Sequence, residues 1–167
     1  HEYAFMRGMS AHYLDQTSES IRQLSDYLAL PGAVPAQMRV VEKILLDYAN
    51  QYIDGQIKAF WIFDTPGRGY GILEDLAILA SGVELQAQAI ARVAEQYFSD
   101  RRYELAAPYY SMLLNPRFQS LGWEDRASYR FAQCRYMMLI PGKSDEQSML
   151  FALKSAQSYI TAFPAGA

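Results

Sequence analysis

Residues with chemistry to offer are few in this chain. The segment TPGRGYG, residues 65–71, stands just ahead of an apolar run. Backbone amides of a glycine-rich turn at a helix N-terminus can hold a phosphate or carboxylate, and Arg68 between Gly67 and Gly69 adds a positive charge. No Lys-Ser or Lys-Thr pair follows, so this is not a P-loop, and Glu74 and Asp75 downstream oppose an anion. The only histidines are His1 and His12. Neither has a partner at helical metal-ligand spacing, and no nucleophile motif accompanies them, so no metal or cofactor is expected. Cys134 is the one cysteine. It excludes an internal disulfide and a thiolate zinc site, and it reads as a small buried hydrophobe. The adjacent carboxylates Glu74–Asp75 and Glu124–Asp125 point in different directions on a helix, so they read as charges near helix starts rather than catalytic pairs. Arg101–Arg102 and Arg126 with Arg130 are modest basic clusters whose ordinary place is a solvated face.

Helices must position all of these. Apolar residues recur at helical spacing almost everywhere, and no convincing strand is present. Residues 2–14 form a first helix. A second follows DQTSES, with Thr17 or Ser18 as its cap, burying Ile21, Leu24, Tyr27 and Leu28 until Pro31-Gly32. Pro35 opens a third, in which Met38, Val41, Ile44, Leu45, Tyr48 and Tyr52 make the apolar face. It ends near Asp54-Gly55 or runs on through Ile57, Phe60 and Trp61; the run AFWIF at 59–63 could instead be a short strand, but helix is favoured because no partner strand is visible. DTPGRGYG is the most loop-like piece, with a short helix from about 72 to 80 after it. Ser81 with Glu84, and Ser144 with Gln147, have capping-box spacing ahead of two further helices. Between those lie helices at about 103–114 and 123–139, separated by a loop with Pro116 and Gly122. The expectation is eight or nine helices in one domain, 1–167, with helix pairs in 1–63 and repeat-like units in 72–167.

The most specific stretch is IARVAEQYFSDRRYELAAPYYSMLL, 90–114. It reads as two antiparallel helices joined by the short polar turn SDRR. Ala94 and Ala106 are placed where the axes cross, Tyr97, Tyr103 and Tyr110 fill the gaps beside them, and Ile90, Val93 and Leu113 complete the seam. In this order of large, small and aromatic residues the stretch resembles the tetratricopeptide repeat family. A second, longer copy is visible in RFAQCRYMM and FALKSAQSYITAFP, where the matching alanines, 132 and 152, are 20 apart instead of 12, and Pro108 departs from the pattern inside the first copy. The units also look somewhat like those of bacterial periplasmic repeat lipoproteins that serve outer-membrane assembly. The resemblance implies an all-α solenoid of stacked antiparallel helix pairs whose first helices line a concave groove. It places Gln88, Ala91, Glu95 and Phe98 there from the first copy, and Arg126, Tyr129, Gln133 and Tyr136 from the second. A compact helical bundle with one repeat-like hairpin is the plainer alternative, with Phe98, Tyr129 and Tyr136 in its core.

Composition is compatible with either. Half the residues are hydrophobic, enough for a core, and 13 tyrosines suit half-buried positions between helices. The net charge of −3 argues against a general nucleic-acid binder. No apolar run approaches the roughly 18 residues of a membrane span. The chain opens on His1 rather than Met, which reads as a piece of a longer, processed chain, and a lone cysteine suits cytoplasm or periplasm alike. The expected role is a non-enzymatic scaffold or adaptor holding a protein or peptide in the groove. The alternative is a helical domain that binds an anionic small molecule through Gly67, Arg68 and Gly69, attached to or regulating an enzyme. A third reading is self-assembly through the tyrosine-rich surface into a homodimer.

Overall fold

Periodicity sets the secondary structure, and closing motifs set its limits. The computed structural model describes residues 2–57, 65–139 and 144–165, and every regular element among them is helical. In order these are α1 (Glu2–Tyr13), α2 (Thr17–Ala29), α3 (Pro35–Ile53), α4 (Thr65–Leu79), α5 (Val83–Ser99), α6 (Tyr103–Leu113), a 3-10 turn (Pro116–Leu121), α7 (Glu124–Met137) and α8 (Glu146–Ala162). Three of them close alike. Asp15 (φ 56°), Gly55 (φ 70°) and Arg101 (φ 60°) take the left-handed conformation after α1, α3 and α5. The next amide then reaches back to the carbonyl five residues earlier: Gln16 to Ala11, Gln56 to Gln51 and Arg102 to Tyr97, each at 2.8 Å. This Schellman arrangement satisfies carbonyls that a helix end leaves open and turns the chain back for an antiparallel partner. It also ends α3 at Ile53; the run AFWIF lies outside the described residues.

Contacts gather the chain into two compact units, residues 1–89 and 90–167, and the boundary falls inside α5. In the first unit α1 packs on α2 and α3 on α4, with α2 also touching α3 and α4. Leu24, Tyr27, Val41, Leu45, Leu73, Leu76 and Ala77 are among its fully buried side chains. In the second unit α7 packs on both α6 and α8. Rings tie α5 to α6: Phe98 meets Tyr103 edge-on at 5.3 Å, and Tyr97 stacks on Tyr109 at 5.8 Å. Ala94 and Ala106 are both wholly buried, as are Ile90, Val93, Tyr110 and Leu113. The chain is thus all-helical with neighbouring helices packed in pairs.

Four expectations about helix starts need correction. The glycine-rich segment is not a loop: Gly67, Gly69 and Gly71 all lie within α4, which begins seven residues before the expected Ile72. Gly69 is the reason. A Cβ there would sit 2.6 Å from the Ala49 carbonyl oxygen and 2.7 Å from Ile53 Cγ1, so the missing side chain lets α4 press directly on α3. That burial offsets the poor helix propensity of glycine. Ser81 does not cap α5; its amide (2.6 Å) and hydroxyl (2.7 Å) both donate to Oε1 of the buried Glu42. Glu42 faces inward from α3 for this purpose. The α8 cap is Asp145, not Ser144, since Asp145 Oδ1 accepts from the Ser148 amide at 2.7 Å. Thr17 is already helical, and Gln16 stands at the α2 cap position without a side-chain bond.

Candidate functional site

Five of the residues expected in a groove come together on the second unit, and a sixth residue, Arg130, touches three of them. Glu95 on α5 accepts from Arg126 Nη2 of α7 at 3.0 Å, and Arg130 Nε lies 3.6 Å from the same carboxylate oxygen. The Arg130 guanidinium lies over the Phe98 ring, 4.4 Å from its centroid. Its Nη1 donates to Gln133 Oε1 at 3.0 Å, and Gln133 Nε2 donates to the Tyr129 hydroxyl at 2.9 Å. The geometry follows from helix spacing. Residues 126, 130 and 133 lie three or four apart on one face of α7, and that face looks at Glu95 and Phe98 on α5. Half-exposed ion pairs of this kind add little stability. Their consequence is positional: Arg126 is tied to Glu95, and Arg130 is held over the Phe98 ring beside it. Beneath them Tyr110 is buried, with its phenol near the Glu95 carboxylate. Burial first, and the nearby Glu95 charge second, push its phenol well above the ordinary range, so it stays neutral.

On the other side of α7 the surface changes character. α7 and α8 line an open cleft of about 650 Å³. Tyr129, Gln133 and Tyr136 of the expected groove lie along it, with Ala132 on α7 and Ala152, Leu153, Ala156 and Ile160 on α8. No Asp, Glu, Lys or Arg is among the described residues that line it. Tyr136 is 68% exposed, Leu153 54% and Ile160 64%, so this apolar wall is open to solvent. Tyr129 joins the two surfaces, since its ring also packs against Tyr159 at 5.4 Å. The plainer alternative for the aromatics is met only in part. Phe98 and Tyr129 are half-buried, whereas Tyr136 is exposed. Sequence reasoning missed Arg130 as a bridge and the whole α8 wall. The signals were present: Arg130 follows Arg126 by four, and Met149, Leu153, Ala156 and Ile160 form a helical stripe.

The remaining candidates lie elsewhere. Gln88 is exposed on the part of α5 that belongs to the first unit, and Ala91 is buried on the part that belongs to the second. Of the three residues proposed to hold an anion, Gly69 is sealed against α3. Arg68 lines an open depression of about 550 Å³ with Arg22, Glu74 and Asp75, so both signs of charge meet there. His12 accepts or donates through Nδ1 to the Tyr48 hydroxyl at 2.7 Å and stacks edge-on against that ring, a packing role that ties α1 to α3. Cys134 is fully buried, and its thiol is pushed up to about 11 by burial, against the opposing pull of Arg130 and Arg135. No group of three or more metal-ligating side chains gathers among the described residues, and no described helix is long and apolar enough to cross a membrane.

The chain matches no protein family, and neither a curated protein nor a solved structure is similar to it.

Proposed function

We propose that the chain is a non-enzymatic binding module that holds a protein or peptide partner on the α7 surface of its second unit. The observation that carries this reading is the open cleft between α7 and α8, whose described lining residues carry no charge, flanked by a preorganised shoulder of arginine and aromatic side chains. Interfaces draw most of their affinity from aromatic and arginine anchors beside apolar pockets. Tyr136 and Arg126, the latter with a side chain 60% exposed, are such anchors here. The shoulder is held in place before any partner arrives, which lowers the ordering entropy of binding. The resemblance of 90–114 to a tetratricopeptide hairpin supports the same reading, since that architecture presents helix faces to partners.

The test is selection of displayed peptides, both linear and helix-forming, against the full chain, followed by fluorescence anisotropy with Tyr136→Ala and Arg126→Ala. Both positions are exposed, so the variants keep the fold. The expected result is peptides of micromolar affinity that lose at least about tenfold with Tyr136→Ala and about threefold with Arg126→Ala. Selected peptides that bind both variants as tightly as the parent chain would overturn the proposal.

A further inference from the structure

Charge divides this chain unevenly. Residues 1–89 carry 11 Asp and Glu against 6 Lys and Arg, whereas residues 90–167 carry 7 against 9. The second unit is thus basic within a chain that is acidic as a whole. Most of its acids serve helix starts. Glu104, Glu124, Asp125 and Glu146 stand in the first turns of α6, α7 and α8, and Asp145 caps α8, where helix amides draw negative charge. Asp100 accepts from Gln96 Nε2 at 2.9 Å. Glu95 faces the arginines of α7, and its Oε1 takes both Arg126 and Arg130. One carboxylate therefore answers two guanidinium groups, and one positive charge is left over. Arg102, Arg117 and Arg135 make no ion pair among the described residues. They lie over the rings of Tyr97 (5.0 Å), Phe118 (5.0 Å) and Phe151 (4.5 Å). A ring attracts a guanidinium but carries no net charge. It holds the cation in place and leaves its in-plane N–H edge for a carboxylate. The shoulder of Arg126 and Arg130 combines this excess of charge with exposure, since the Arg126 side chain is 60% exposed.

We infer that the second unit holds an acidic partner: an Asp- or Glu-bearing segment of a protein, whose carboxylates pair with Arg126 and Arg130 and neutralise the charge that Glu95 leaves over. The inference rests on the partner-binding reading and adds the sign of the partner's charge. A protein segment fits better than a nucleic acid. A nucleic acid is charged along its whole length, and the 11 acids of the first unit belong to the same chain and repel it. A short acidic segment needs only the second unit.

The test begins with the charge of the peptides that the full chain selects from a displayed library of zero mean charge. Selected peptides should carry at least about two more Asp and Glu than Lys and Arg. The tightest of them is then titrated by fluorescence anisotropy beside two variants, one with Asn and Gln in place of its acids and one with Lys. The amide variant should bind at least about tenfold more weakly than the acidic peptide. Affinity for the acidic peptide should fall at least about fivefold between about 50 and 300 mM NaCl. Arg126→Glu should weaken the acidic peptide at least about tenfold and tighten the Lys variant, while Arg126→Gln, which adds no repulsion, should weaken the acidic peptide about threefold. Lys154→Glu, at an exposed position of α8, makes the same change in net charge and should weaken it less than about threefold. Equal losses from Arg126→Glu and Lys154→Glu would make the effect one of overall charge and overturn the pairing. Selected peptides that are neutral or basic would overturn the inference and leave the partner-binding reading standing. An oligothymidylate that displaces the acidic peptide and binds more tightly would make the occupant a nucleic acid and overturn it too. A library that yields no binder would remove both readings.

Discussion

Single atoms decide several features of this protein. Gly69 and Gly71 are two residues apart in one helix, yet they face opposite demands. A methyl at Gly69 would collide with the Ala49 carbonyl and Ile53, whereas one at Gly71 meets nothing within 4 Å. Gly69→Ala should therefore destabilise the chain by about 1–3 kcal/mol through overpacking. Gly71→Ala should stabilise it by roughly 0.5–1 kcal/mol through helix propensity. Urea denaturation of the two variants checks this, and equal effects of one sign would contradict the close α3–α4 approach. Cys134 supplies a second residue-scale test. With its thiol raised to about 11 and no exposed surface, the thiolate is scarce at pH 8 and unreachable. Ellman's reagent should react at least about 100-fold more slowly with the folded chain than with the chain in denaturant; comparable rates would place the thiol at the surface.

At the scale of elements, helix starts depend on acceptors from different distances. Asp145 caps α8 from the adjacent position, and the bonds from the Ser148 amide and hydroxyl, in that order, hold its carboxyl below the ordinary range. A carboxylate whose folded pKa is depressed contributes stability above its unfolded pKa of about 4, and that contribution is lost as pH falls through the lower folded value. The first turn of α8 should thus fray as pH drops below about 4, and Asp145→Ala should fray it at neutral pH. Hydrogen exchange at the Ser148 amide reports both; an amide equally protected in parent and variant would show that the cap is idle. Glu42 works across the fold instead, reaching from α3 to Ser81 ahead of α5. Glu42→Ala strands the Ser81 amide and leaves a void, and should cost about 2–4 kcal/mol. Ser81→Ala keeps the amide bond and should cost less, about 1 kcal/mol. Sequence spacing revealed α3 and the 90–114 hairpin because their stripes are local. It misplaced the starts of α4, α5 and α8, because a glycine chosen for a distant backbone resembles a loop glycine, and a serine bound to Glu42 resembles a cap.

At the scale of the whole molecule, the division inside α5 bears on cooperativity. Glu42→Ala perturbs residues of the first unit only. Exchange should accelerate at core amides such as Leu45 and Leu73 and stay near parent rates at Ala127 and Cys134. Uniform acceleration across both units would mean that the chain unfolds as one body.

What the sequence by itself determined is the helical character of the chain and most apolar faces, because a period of 3.6 residues is written locally and needs no partner to be recognised. It also placed Glu95, Phe98, Arg126, Tyr129 and Gln133 on helix faces that do meet. Only the tertiary structure decided which of those faces are covered. The α8 stripe of Leu153 and Ile160 has the pattern of a buried seam and is open, while Glu42 has the pattern of a surface residue and is sealed. Burial depends on what packs against a face, and that neighbour stands 39 residues away for Glu42, beyond the reach of any local period.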